Sequence, residues 1–151
     1  MNYKTKIITL FTIAALYLAG CGRKTEITPE HVRFKEENTQ YDFYPCKTQD
    51  TSKSILYVRN ITPGRSVTFI DAKKDSAFNR SDDMIIETID GNVNKYVPGE
   101  SYTDPDGKVF KLSGNSLERV VAEEKLKKIP EFEKEYKAIL KHVEEYVIKT
   151  K

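Results

Sequence analysis

Met84-Ile85-Ile86-Glu87-Thr88-Ile89-Asp90-Gly91-Asn92-Val93-Asn94-Lys95-Tyr96-Val97 is the stretch on which the fold turns. Two runs rich in β-branched residues, Met84 to Ile89 and Val93 to Val97, flank Asp90-Gly91-Asn92. A tight hairpin needs positive φ at its centre to match the right-handed twist of paired strands, and Asp-Gly supplies it. The stretch therefore predicts an antiparallel hairpin.

The same punctuation extends in both directions. Downstream, Pro98-Gly99 and Asp104-Pro105-Asp106-Gly107 set off a last pair of short strands around Ser101-Tyr102-Thr103 and Lys108 to Leu112. Upstream, Ile55-Leu56-Tyr57-Val58 and the alternating Ser66-Val67-Thr68-Phe69-Ile70 are separated by Thr62-Pro63-Gly64. Pro-Gly presets a type II turn, so these too read as adjacent antiparallel strands. The sum is a meander of about five to seven strands. Ala72 to Asp83, rich in Lys, Asp, Ser and Asn, is the longest loop and a candidate contact surface, since function concentrates on long loops.

From Asn115 the apolar period becomes helical. Asn115 with Glu118 forms a capping-box signature ahead of Leu117, Val120, Val121 and Leu126. Pro130 ends or kinks that helix and suits the first turn of the next. Phe132, Tyr136, Ile139, Leu140, Val143 and Val147 then stripe one face of a second helix, with Glu133/Lys137 and Glu145/Lys149 expected as spaced ion pairs on its exposed side. The stripe suits packing on the strands, and it would equally suit a partner-binding face built on Tyr136, Ile139, Val143 and Val147. The fold class is thus α+β: a small antiparallel β-meander or partial barrel followed by two C-terminal helices. Residues 41–113 are expected to form the β domain, and residues 114–151 the helices packed on it.

The chain has 151 residues, 32% of them charged, which suits one domain. Mean hydropathy is −0.58 with one strongly apolar stretch, which excludes a polytopic membrane protein. That stretch is at the N-terminus. Met1 to Lys6 carries two lysines and no acid, Ile7 to Leu18 is almost wholly apolar, and Leu18-Ala19-Gly20-Cys21 follows. The order is that of an export signal covering residues 1–20.

These first 21 residues resemble those of a bacterial lipoprotein precursor, whose lipobox reads Leu, Ala or Ser, Gly or Ala, then Cys. The resemblance implies that Leu18, Ala19 and Gly20 are recognised by the signal peptidase. It further implies that Cys21 takes up lipid through its nucleophilic sulfur and becomes the new N-terminus. Two or three acyl chains anchor a protein far more firmly than one, so the membrane is a partner through lipid. Gly22 in the following position implies the outer membrane of a Gram-negative host. In a Gram-positive host the same anchor would sit on the outer face of the plasma membrane. Residues 21–40, polar and interrupted by Pro29, read as a tether spanning roughly 25 Å. Val32 and Phe34 could dock as a short first strand, and His31 reads as a solvated tether residue.

Removing Lys4 and Lys6 from the 25 basic residues leaves 23 against 23 acidic ones, so the mature chain is neutral overall. Nothing in that balance predicts a nucleic-acid partner. Cys46, the remaining cysteine, reads first as a buried inert thiol and otherwise as one half of an intermolecular disulfide. No Gly-rich phosphate loop, zinc-ligand spacing or nucleophile elbow appears. Asp90-Gly91-Asn92-Val93-Asn94 imitates a calcium loop, but Lys95 and Ser101 stand where such a loop needs glycine and glutamate. No metal, cofactor or catalytic residue is therefore expected. His142 lies beside the helical stripe and reads as solvent-facing.

Tyrosines cluster in Tyr41-Asp42-Phe43-Tyr44 and recur at Tyr57, Tyr96 and Tyr102, a composition that fills a sheet core or recognises a partner. Tyr44-Pro45-Cys46 followed by Gly99-Glu100-Ser101-Tyr102-Thr103-Asp104 and Val109-Phe110 is similar to the lipoprotein inhibitors of C-type lysozyme. That similarity implies a β-barrel whose Ser101/Tyr102 loop plugs a muramidase cleft. Pro98 at the family's loop serine, a missing second cysteine and the absence of tryptophan depart from the pattern. The expected function is a non-catalytic binding, adaptor or accessory module of the cell envelope with an envelope protein as partner, the inhibitor being the alternative.

Overall fold

The computed structural model describes residues 25–28, 30–45 and 53–150 of the chain. Among the described residues nine strands follow one another as neighbours in a single antiparallel sheet, in the order of the chain. They are β1 (Glu26–Ile27), β2 (Val32–Glu36), β3 (Thr39–Tyr44), β4 (Ser54–Thr62), β5 (Arg65–Asp71), β6 (Met84–Ile89), β7 (Asn92–Val97), β8 (Ser101–Thr103) and β9 (Val109–Lys111). Two helical segments follow, α1 (Ser116–Leu126) and α2 (Ile129–Lys149). The α+β meander with C-terminal helices read from the sequence is the fold.

Local chemistry explains the boundaries. Asp90 and Gly91 take φ of 49° and 83°, the two positive values a two-residue hairpin requires. Ile89 and Asn92 pair across them. Gly64 in the Pro63-Gly64 turn has φ 79°, and a Cβ there would stand 2.1 Å from Asp90 Oδ1, so the close approach of the two turns also demands glycine. Asn115 caps α1 by accepting the Glu118 N–H at 2.9 Å. Pro130 lies in the first turn of α2, where its missing N–H costs nothing.

The sheet begins earlier than the sequence suggested. Residues 25–40 are not a free tether over most of their length: Val32 pairs with Phe43 and Phe34 with Tyr41, so β2 is part of the sheet. The alternation Val32-Arg33-Phe34-Lys35 buries the two apolar side chains, and β1 is in turn held to β2 through Glu26–Arg33 and Ile27–Val32.

Directly opposed strand residues share a face, so the register assigns one side of the sheet to the core. Val32, Phe34, Leu56, Val58, Val67, Phe69, Ile85, Tyr96 and Tyr102 point there and meet Phe132, Tyr136, Leu140, Val143 and Val147 of α2. Tyr136 and Val143 are 1% and 2% exposed. Phe69 lies 5.1 Å from Tyr136 between ring centroids, and Tyr146 stacks on Phe34 at 3.7 Å. Among the described residues no helix is long and apolar enough to cross a membrane.

Candidate functional site

Where α2 passes the β2–β3 hairpin, the structure opens a cleft of about 500 Å³ lined by Glu36, Glu37, Thr39, Tyr41 and His142. The hairpin turns tightly because Glu37 adopts φ 49°. It brings Glu36 opposite Thr39 on the core side of the sheet. Helix α2 contributes His142 from a turn adjoining buried Val143, and its Nε2 donates to Glu36 Oε2 at 2.7 Å. The floor is aromatic, with Tyr41 stacked on Phe34 at 4.7 Å and tilted against His142 at 5.2 Å. Burial, and then the neighbouring Glu36 and Glu37 charges, push the Tyr41 hydroxyl above its ordinary value, so Tyr41 is a neutral donor at physiological pH. Thr39 Oγ1 donates to the Asn60 carbonyl at 3.0 Å. The cleft thus presents two carboxylates, an imidazole and a phenol above an apolar floor. These are groups for orienting a polar or cationic group, and Thr39 is the one side chain among them with an aliphatic hydroxyl.

A second polar cluster centres on Asp42, on the other face of the sheet. Burial opposes its charge, but hydrogen bonds from Arg33, Gln40 and His31 outweigh that penalty and hold the carboxyl below its usual range. Gln40 Nε2 donates to Asp42 Oδ2 at 2.7 Å and His31 Nε2 to Oδ1 at 3.1 Å. His31 also stacks on Tyr44 at 4.2 Å. It is therefore a packed residue with a carboxylate partner, not a solvated tether residue. A third cluster is Arg65, whose fork meets Glu135 at 2.5 and 2.9 Å while its Nε donates to Glu87 at 2.8 Å. It locks the first turns of α2 to β5 and β6.

The residues expected to contact a partner are distributed otherwise. Tyr136, Val143 and Val147 are buried against the sheet and Ile139 packs beside them, so this face closes the core and is not an open contact surface. Its apolar area is buried by the strands of the same chain, which settles the two uses the stripe allowed. Tyr102 is 3% exposed and donates to Asn94 Oδ1 at 2.8 Å, so its ring is in the core and not at the tip of a projecting loop. Ser101 is half-buried on the opposite face, at an open cleft of about 360 Å³ with Gly99, Glu100, Lys111, Leu112 and Ser113. The Ala72–Asp83 loop is tied down. Asp71 accepts the Lys73, Lys74 and Ser76 N–H groups, Asp83 accepts those of Ala72, Asn79 and Arg80, and Phe78 is buried. Glu133 accepts the Phe78 N–H at 2.8 Å, so it faces this loop and not the solvent side.

Leu18, Ala19, Gly20 and Cys21 lie outside the described residues, as does Cys46. Among the described residues no group of three or more His, Cys, Asp or Glu is placed to hold a metal ion. His142 was expected to face solvent, and it is instead half-buried in the cleft. Glu36, Glu37 and Thr39 escaped the sequence reading because they sit in the stretch taken for tether. Only the short alternation from Val32 to Glu36 marked that stretch as strand. Comparison with family models, curated proteins and solved structures finds no match.

Proposed function

We propose that the protein is a lipid-anchored module of the bacterial cell envelope that binds an envelope protein and carries out no reaction of its own. The observation that carries this reading is Leu18-Ala19-Gly20-Cys21 behind an apolar run, followed only five positions later by the first strand at Glu26. A chain of that kind is delivered to a membrane and held there by acyl groups on Cys21, in a Gram-negative host at the outer membrane given Gly22. The Glu36/Glu37/Thr39/Tyr41/His142 cleft is the contact we assign to the partner. It is concave, polar at its rim and aromatic at its floor, the composition of a recognition surface. His142 and Glu36 are paired with each other, an arrangement suited to a fixed docking surface.

The test is labelling with palmitate in the native host, together with photocrosslinking from position 37 in intact cells. The native protein is expected to label and to fractionate with membranes, while Cys21→Ala loses both properties. The crosslinker is expected to capture a reproducible envelope protein, and that capture is expected to disappear on Glu36→Ala. A Cys21→Ala variant that still labels with palmitate refutes the anchor.

A further inference from the structure

The strand register sorts the charges of the sheet between its two faces. Arg33 opposes Asp42 and Lys35 opposes Gln40, Gln40 opposes Arg59, Ile86 opposes Lys95, and Ser101 opposes Lys111. All of these side chains stand on the face away from the helices, together with Tyr44, Ile55, Ile70 and Met84, which form one cross-strand row. Val93 and Val109 join them, 43% and 44% exposed. The face therefore carries five basic residues, Arg33, Lys35, Arg59, Lys95 and Lys111. Against these stand two acidic ones, Glu26 and Asp42, and Asp42 is already ion-paired with Arg33. Residues 116–149, which cover the other face, hold eight basic and eight acidic side chains. The mature chain is neutral overall, so the excess on the open face is a local property.

We propose that this basic and apolar sheet face lies directly on an anionic phospholipid surface, so that the protein rests face-down on its bilayer. The proposal depends on the lipidation of Cys21 stated above. From Cys21 to Glu26 the chain takes five residue steps and reaches at most about 18 Å when fully extended. A nine-stranded sheet is about 38 Å across at the usual strand spacing. With so short a leash attached at the β1 edge, the domain touches the headgroups whichever way it turns, and charge decides the side it presents. Attraction between that side and anionic headgroups acts within a Debye length of about 8 Å, a range the leash keeps available. A second copy of the chain is the less suitable occupant, because pairing this face with itself opposes like charges. Face-down docking leaves the helices and the Glu36/His142 cleft turned away from the bilayer.

The chain contains no tryptophan, so a single introduced one is a clean reporter. Tyr57→Trp places it on the open face, with Ile86→Trp as a second reporter there. Val120→Trp places it on α1, where the native side chain is 59% exposed. The lipidated proteins are purified from the native host and reconstituted into vesicles of phosphatidylethanolamine and phosphatidylglycerol bearing a spin-labelled headgroup. Quenching at position 57 or 86 is expected to exceed that at position 120 at least twofold. In zwitterionic phosphatidylcholine vesicles, or on the background Arg59→Glu/Lys95→Glu/Lys111→Glu, the difference is expected to fall toward equality. A protein that labels with palmitate and floats with the vesicles, yet shows equal quenching at the three positions, overturns face-down docking and leaves the anchor standing. Quenching greater at 120 overturns it equally, as does an undiminished difference in the charge-reversed variant. Unquenched open-face tryptophans in a protein of doubled mass would assign the face to a second copy. A protein that neither labels nor floats refutes the anchor and this inference together.

Discussion

Val143 is where core and contact surface give opposite outcomes. Its side chain is 2% exposed, on the face of α2 that packs on the sheet. Val143→Ala removes two methyl carbons, a transfer loss of about 1.6 kcal/mol at roughly 0.8 kcal/mol each. The incompletely relaxed cavity raises the expected cost to about 2–3 kcal/mol. Val143→Glu places a carboxylate among apolar neighbours, at a cost of about 3–5 kcal/mol, a large part of the 5–15 kcal/mol that holds a domain of this size together. Thermal unfolding followed by circular dichroism reads these effects. At about 4 °C per kcal/mol, Val143→Ala is expected to lower the Tm by about 8–12 °C, and Val143→Glu to broaden or abolish the transition. The control is Ala138→Glu, at an exposed position of the same helix, which is expected to shift stability by no more than about 0.5 kcal/mol. A Val143→Glu protein melting within about 2 °C of the native one would refute the packing argument and return the stripe to the surface.

Two further outcomes follow from the polar clusters. Arg65→Ala leaves Glu87, 5% exposed, without its guanidinium, and is expected to cost about 3–5 kcal/mol by urea denaturation. Arg65→Lys is expected to recover less than half of this, because an ammonium cannot serve Glu87 and Glu135 in the same fork. Asp42 is held below its ordinary value of 3.8 in the folded state, so the stability it contributes is present above that value and lost as pH falls through the folded one. The urea midpoint of the native protein is expected to drop more steeply below about pH 4 than that of Asp42→Asn, and parallel pH profiles for the two would contradict the assignment.

Features set by a few adjacent residues were legible without a structure. Asp90-Gly91 dictates a hairpin because both positions need positive φ. Asn115 caps a helix three residues before the amide it satisfies, and Pro130 suits a first turn, because these effects act within one turn of chain. From them come the order of strands and helices and the α+β class. The resemblance of Leu18-Ala19-Gly20-Cys21 to a lipobox is likewise carried by adjacent residues.

The rest needed the folded chain. The sequence left Val32 to Glu36 between a tether and a short docked strand, because five alternating residues are too few to outweigh a polar neighbourhood, and pairing with β3 decides for the strand. His142 and Glu36 stand 106 positions apart and meet because α2 crosses the sheet at the end of one hairpin. The stripe on α2 was compatible with a core and with a partner, since periodicity specifies an apolar face and not what covers it. The basic face of the sheet was hidden altogether. Its five basic residues come from four strands and share a side only through the register, which is a property of the whole sheet and of no single stretch of the sequence.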